Sequence, residues 1–243
     1  MSEFFGFIKK KYKVVSNHKC FWFSLFISFC ILVGGVVAVF YASQFNDTFF
    51  YPPVGDLILD NIDTYDLSFW FTYGVYMLIG FIFLYVILLV PERLPFVFKT
   101  YGLLLFVRAI FILLTNFGPP VGFFYGAGAP ADNYLLQNFL FRNDLFFSGH
   151  VALPFIGYLL LRGTNRVVEL IILIGSFVMA VTVLLMHVHY SIDVFAAFFI
   201  TYGVYSLSNE VFGRINERIF GWRGFCCEHK GSEVILKTSD KNK

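Results

Sequence analysis

Charge is what this sequence has least of. Only 14% of its 243 residues are Asp, Glu, Lys or Arg, where a soluble domain carries about 25%. That is too little to cover a water-facing surface, which excludes an ordinary soluble globular domain. Cysteine is sparse and unpatterned. Cys20, Cys30, Cys226 and Cys227 form no C-x-x-C spacing, and an adjacent pair rarely closes on itself. Neither a disulfide framework nor a structural zinc site is expected. The net charge of +2 comes without a long basic arm or a base-stacking motif, which excludes nucleic acid as a partner. No cleavable leader is expected either. The first apolar run, about 21–41, is too long for a leader core and lacks a clear small-residue cleavage site. The chain shows no internal repeat and no second domain.

What the chain has in quantity is apolar surface. Hydrophobic residues make up 58%, aromatic residues 21%, and 34 positions are Phe; the mean hydropathy is +0.73. This predicts an integral, multi-pass membrane protein. A spanning helix needs about 20 mostly apolar residues, and six stretches qualify: about 21–41, 68–90, 96–117, 145–162, 167–187 and 189–208. The expected fold class is therefore all-α, a six-helix membrane bundle. Its parts are a basic N-terminal segment (1–20), a membrane domain (21–208) and a polar tail (209–243) expected to lose order past about Glu228. The N-terminal lysines suit anionic headgroups, or serve only as a topology signal. Cys226 and Cys227, close after the last run, are candidates for S-palmitoylation, or are incidental thiols.

Charge bias in the connections predicts orientation. Lys9, Lys10, Lys11, Lys13 and Lys19 precede the first run; Arg93 and Lys99 mark the second connection, Arg162 and Arg166 the fourth, and Arg214, Arg218, Arg223 and Lys230 follow the last. The first connection is acidic, the third holds Arg142 alone, and the fifth has no Lys or Arg. Both termini are thus expected in the cytoplasm, with odd-numbered connections facing outward or into a lumen. His150 enters the fourth run and His189 the sixth from that outward face, one helical hairpin apart. Asn46-Asp47-Thr48 is an N-glycosylation sequon on the same face.

The outward inventory is His150, His187, His189, Asp193, Ser148, Arg108, Arg142 and Asp144. An ionisable group at membrane depth marks a functional site by default. His189 and Asp193 are four apart, so on a helix they share a face, and the carboxylate can hold the imidazole in one tautomer. The pair has the form of an oriented nucleophile or base, with His150 as an acid toward a leaving oxygen. Arg108, about 13 Å of helix from the outer end, can reach toward the mouth and fork onto phosphate oxygens; the alternative is a structural ion pair. Arg142 could do the same, or be a solvated loop charge. A metal site on His187, His189 and Asp193 is possible by ligand type. On a helix, however, the two histidines point about 200° apart. A proton-relay transporter would also carry such residues, but no interrupted span or inverted repeat accompanies them.

Asn143-Asp144-Leu145-Phe146-Phe147-Ser148-Gly149-His150, followed by His189-Tyr190-Ser191-Ile192-Asp193-Val194, resembles the paired motifs of sphingomyelin synthases and their relatives in the phosphatidic acid phosphatase type 2 superfamily. Arg108-Ala109-Ile110 with Thr115 and Pro119-Pro120 is similar to that family's third-span segment, and Pro52 to Leu57 more weakly to its first outer loop. The resemblance implies metal-independent phosphoryl transfer without a cofactor. His189 would attack phosphorus, Asp193 orient it, and His150 protonate the leaving group; Arg108, Arg142 and Ser148 would hold the phosphate. It implies membrane lipids as partners: a phospholipid donor and a lipid alcohol such as ceramide or diacylglycerol as acceptor. Water as acceptor would make a lipid phosphate phosphatase of the same triad. A catalytically silent scaffold or a transporter is the reading from another class. The superfamily's K-x6-R-P motif is missing, which favours the synthase-like branch, and Asn143 stands where relatives often have Gly. The extra N-terminal domain of some synthases is not expected here. The sequence specifies no oligomeric state.

Overall fold

The computed structural model describes residues 6, 8, 9, 11–13, 15, 19–123 and 141–220. The Cys226–Cys227 acylation candidate, the tail past 220 and much of the basic N-terminal segment lie outside the described residues. Six long or medium helices form among the described residues: α1 (Lys19–Asn46), α2 (Val75–Leu89), α3 (Leu94–Leu114), α4 (Gly149–Leu161), α5 (Arg166–Leu185) and α6 (Ser191–Phe220). A π-helical turn, Trp70–Gly74, leads into α2, and one 3-10 turn, Pro91–Arg93, separates α2 from α3. No strand is present among the described residues.

Local causes are visible at the helix ends. Asn165 caps α5, its side-chain oxygen accepting the N–H groups of Val167 (2.9 Å) and Val168 (3.3 Å). Five helical stretches are long and apolar enough to cross a membrane: Phe21–Asn46, Trp70–Leu89, Pro91–Leu114, Arg166–Leu185 and Ser191–Gly213. The expected fourth span is different. α4 has 13 residues, or about 20 Å, against a hydrocarbon core of about 30 Å. Residues 145–148 are apolar enough to continue the run but are not helical. The Phe147 carbonyl accepts from Arg108 Nε at 3.0 Å, and the Ser148 N–H donates to the Asp193 carbonyl at 3.2 Å. Backbone groups that α4 would otherwise use are taken by α3 and α6.

α3 is the hub. More than half of its window is buried (56%), against 17–33% for the other four spans. Tyr101 and Leu104 of α3 pack in one cluster with Ile82, Ile156, Leu161 and Ile172, all nearly or fully enclosed, and Ile112 packs in a second with Ala42 and Ala109. Tyr101 anchors α4 by donating its hydroxyl to the Leu153 carbonyl at 3.0 Å. α1 lies against α3 through facing glycines. A Cβ on Gly102 would stand 2.8 Å from the Ile31 carbonyl oxygen, and one on Gly35 would stand 2.7 Å from the Gly102 oxygen. Small residues let membrane helices approach backbone to backbone.

The connections gather at two ends. At one, Arg93 donates to the Leu160 carbonyl (2.9 Å), Lys11 to the Leu89 carbonyl (2.6 Å), and Lys11 also pairs with Glu92 at 3.5 Å. At the other meet the first, third and fifth connections. Tyr190 donates its hydroxyl to the Gly118 carbonyl (2.8 Å) and accepts from the Val54 N–H (3.0 Å). The Tyr65 N–H reaches the Leu185 carbonyl at 2.8 Å. Asn46 and Asn143 exchange amide-to-carbonyl hydrogen bonds at 2.9 and 3.0 Å. The sequon asparagine is therefore 2% exposed and already occupied.

Candidate active site

His189 and Asp193 do not share a helical face, because α6 begins only at Ser191. They meet through the helix cap. Asp193 sits in the first turn, and its Oδ2 accepts the Tyr190 N–H at 2.8 Å, the carboxylate half of a capping box. The same oxygen lies 3.6 Å from His189 Nδ1. That is ion-pair range and longer than a hydrogen bond. Asp193 is fully enclosed and His189 nearly so. His189 Nδ1 and Asp193 Oδ1 have no hydrogen-bond partner among the described residues.

His150 stands in the first turn of α4. Phe71, from the π-helical turn, stacks on its ring with centroids 4.1 Å apart and planes at 20°. The His150 and His189 rings lie 6.3 Å apart at 58°. The Ser148–Asp193 backbone hydrogen bond described above fixes this distance, since it ties the start of α4 to the first turn of α6. Ser148 precedes α4 without capping it, and its hydroxyl is buried without a partner among the described residues. A free hydroxyl beside the unpaired amides of a helix N-terminus is suited to an anionic oxygen.

Arg108 reaches this group but is engaged. Its Nη2 and Nη1 lie 2.8 and 3.2 Å from the Asp144 carboxylate, and its Nε donates to the Phe147 carbonyl. The ion-pair alternative for Arg108 is thus realised in this structure. A Cβ on Gly149 would stand 3.1–3.4 Å from the guanidinium, so glycine lets the charge lie close against the start of α4. Arg142 is exposed; its backbone N–H bonds Asp47 (2.9 Å), as does that of Asn143 (2.7 Å). The structure therefore brings together His150, His189, Asp193, Ser148 and Arg108.

His187 is separated from His189 by a turn and not by helical phase. It has positive φ (50°), and its Nδ1 lies 3.0 Å from the Val121 carbonyl. His187, His189 and Asp193 do not converge. No group of three His, Cys, Asp or Glu residues able to hold a metal occurs among the described residues.

Three contributors carried little signal. Asp144 was one of several outward charges, Phe71 one of many phenylalanines, and Asp56 lay in a loop. Asp56 Oδ2 accepts the Ser191 N–H (2.7 Å), and its Oδ1 accepts the Ser191 hydroxyl (2.8 Å) and the Ile58 and Leu59 N–H groups. Partial burial pushes this carboxyl up, but the hydrogen bonds from Ser191, Leu59 and Ile58 outweigh it and hold the group below its ordinary value. Burial, with nearby Asp193, Asp56 and Asp60, raises the Tyr190 phenol, which stays neutral and keeps donating to Gly118.

Residues 143–210 match the family model described as PAP2 superfamily C-terminal. The matched stretch opens at Asn143, which clamps the third connection, and contains His150, His189 and Asp193. The match supports the phosphatidic acid phosphatase type 2 superfamily, whose members are membrane lipid phosphatases and phosphotransferases. No curated protein matches the chain.

Proposed function

We propose that this protein is a lipid phosphotransferase of sphingomyelin-synthase type, moving a phospho-headgroup from a phospholipid to a second lipid alcohol. The observation that carries the reading is the meeting of His189, Asp193 and His150 at one end of the bundle, from two segments within one matched stretch. His189 Nδ1 faces Asp193, which leaves Nε2 for the phosphorus. The Nε2 lone pair forms the N–P bond as the P–O bond to the donor's lipid alcohol breaks, and His150 gives that oxygen its proton. The acceptor hydroxyl then returns a proton to His150 and attacks phosphorus, and the N–P bond breaks. Asp193 stays ionised and holds the Nδ1–H through both steps. Ser148 Oγ and the first amides of α4 receive phosphoryl oxygens, with Arg108 behind them and Arg142 as a second cation. No metal or cofactor takes part.

The Lys and Arg bias supports a six-span chain with both termini cytoplasmic and the site on the extracytoplasmic or lumenal face. The test is headgroup-labelled phospholipid supplied to purified protein with and without ceramide or diacylglycerol. Label on the second lipid is the expected result. Label released to water identifies the phosphatase alternative, and no turnover by folded protein sinks both.

A further inference from the structure

Arg108 is the cation brought to the reacting histidines, yet neither of its gripping edges is open to a phosphate. A guanidinium holds a phosphate best through two parallel N–H groups, from its end (Nη1 and Nη2) or from its side (Nε and Nη2). At the end, Nη1 donates to Asp144 Oδ2 at 3.2 Å, and Nη2 lies 2.8 Å from Oδ1. At the side, Nε is spent on the Phe147 carbonyl at 3.0 Å.

Asp144 is held where it stands. Asn143 before it is tied to Asn46 and to the Phe49 carbonyl (2.9 Å). Leu145 after it is buried in a cluster with Leu59 and Tyr190. The ion pair is poorly hydrated, its side chains 8% and 20% exposed. It also lies against the reacting groups. The guanidinium rests on Gly149, the neighbour of His150. Phe147, whose carbonyl it binds, precedes Ser148, whose N–H meets the Asp193 carbonyl.

The site is therefore short of cation. Arg108 and Asp144 cancel, which leaves the Asp193 carboxylate against whichever histidine carries a proton. Among the described residues of the first, third and fifth connections the one Lys or Arg is Arg142, and it is exposed. A phosphodiester brings one negative charge. A phosphomonoester brings about 1.5 to 2 at neutral pH. The additional charge would enter a poorly hydrated place and face a carboxylate, which is costly.

We infer that Asp144 is a specificity-determining residue: by holding the charge of Arg108, it admits a singly charged phosphodiester and disfavours a doubly charged phosphomonoester. The assignment rests on the proposed phosphotransfer and adds to it what selects a phospholipid over a lipid phosphate.

The test puts the phosphodiester donor of the labelled-lipid assay in competition with phosphatidic acid of the same acyl chains, in nanodiscs. Both release the same diacylglycerol, so different labels on the two glycerols read both reactions at once. Asp144→Asn frees the charge of Arg108 at nearly constant shape. The kcat/KM ratio of monoester to diester should rise about tenfold or more. Asp144→Glu keeps the charge, and Asp63→Asn removes one from an exposed position in the first connection; both should stay near the wild-type ratio. No change in Asp144→Asn, a parallel loss of both reactions, or an equal rise in either control overturns the assignment. Wild-type protein gives a reading without any variant. The enzyme's own titrations cancel in competition, so its preference for the diester should narrow from about pH 7.5 to about pH 5, as the monoester loses its second charge. A preference that does not move with pH, or one for the monoester at neutral pH, overturns selection by charge. Wild-type protein that turns over neither lipid overturns phosphotransfer itself, a different result from these.

Discussion

At the residue scale, Asp193 carries two duties with one oxygen. Oδ2 caps α6 through the Tyr190 N–H and faces His189 Nδ1. Asparagine can keep the first duty, since an amide oxygen also accepts from an N–H, but it cannot supply the negative charge of the second. Asp193→Asn should therefore fold with nearly wild-type thermal stability and lose activity by roughly 10²–10⁴-fold. A variant that unfolds, or one that retains full turnover in the labelled-lipid assay, would contradict this division. The same residue shows what a sequence can reveal. Histidine and aspartate in apolar surroundings are conspicuous, and His150, His189 and Asp193 stood out for that reason. Their partners did not. Asp144 finds Arg108 across 36 positions, and Phe71 is chosen as the ring beside His150 only by the fold. A local pattern holds no record of either pairing. The i, i+4 spacing of His189 and Asp193 gave the right neighbours by the wrong route, a cap in place of a helical face.

At the scale of elements, the start of α6 is built from another part of the chain. Asp56 of the first connection accepts both the backbone N–H and the hydroxyl of Ser191, and a carboxylate is favoured at a helix N-terminus. Its pKa is lowered in the folded protein. Its contribution is thus fully present above the ordinary carboxylate value, near 3.8, and is lost as pH falls through the folded value. Asp56→Asn should lower stability at neutral pH by about 1–2 kcal/mol. Thermal unfolding at about pH 3 should show the gap to wild type closing as the carboxylate protonates. A gap of equal size at both pH values would place the effect elsewhere. The helices themselves were legible, because a long apolar run in a membrane leaves the backbone no other way to pair its polar groups. The short α4 was not. Leu145, Phe146 and Phe147 are as apolar as any span, and hydrogen bonds from α3 and α6, remote in sequence, decide that they stay unwound.

For the whole molecule the informative arrangement is the sorting of connections. The first, third and fifth are stitched together by Tyr190, Asp56 and the Asn46–Asn143 pair; the second and fourth meet through Arg93 and Leu160. If the basic end faces the cytoplasm, an impermeant thiol reagent should tell the two apart in sealed membranes. In a cysteine-free background, Leu57→Cys, at a strongly exposed position, should label from outside or from the lumen. Arg162→Cys, exposed at the opposite end, should label only after the membrane is opened. Labelling of both from one side would break the alternation on which the orientation rests. The charge count predicts the side on which each connection lies; the hydrogen bonds between the loops gather the first, third and fifth at one end of the bundle.

The reciprocal amide pair of Asn46 and Asn143 has a consequence for how the protein is made. A sugar can be joined to the Asn46 nitrogen only while that nitrogen is accessible, and in the folded bundle it is spent on the Asn143 carbonyl. In a compartment that glycosylates such sequons, closing of the third connection races the modifying enzyme. Glycan at Asn46 would then work as a birth record, marking the molecules whose outer loops were late to assemble.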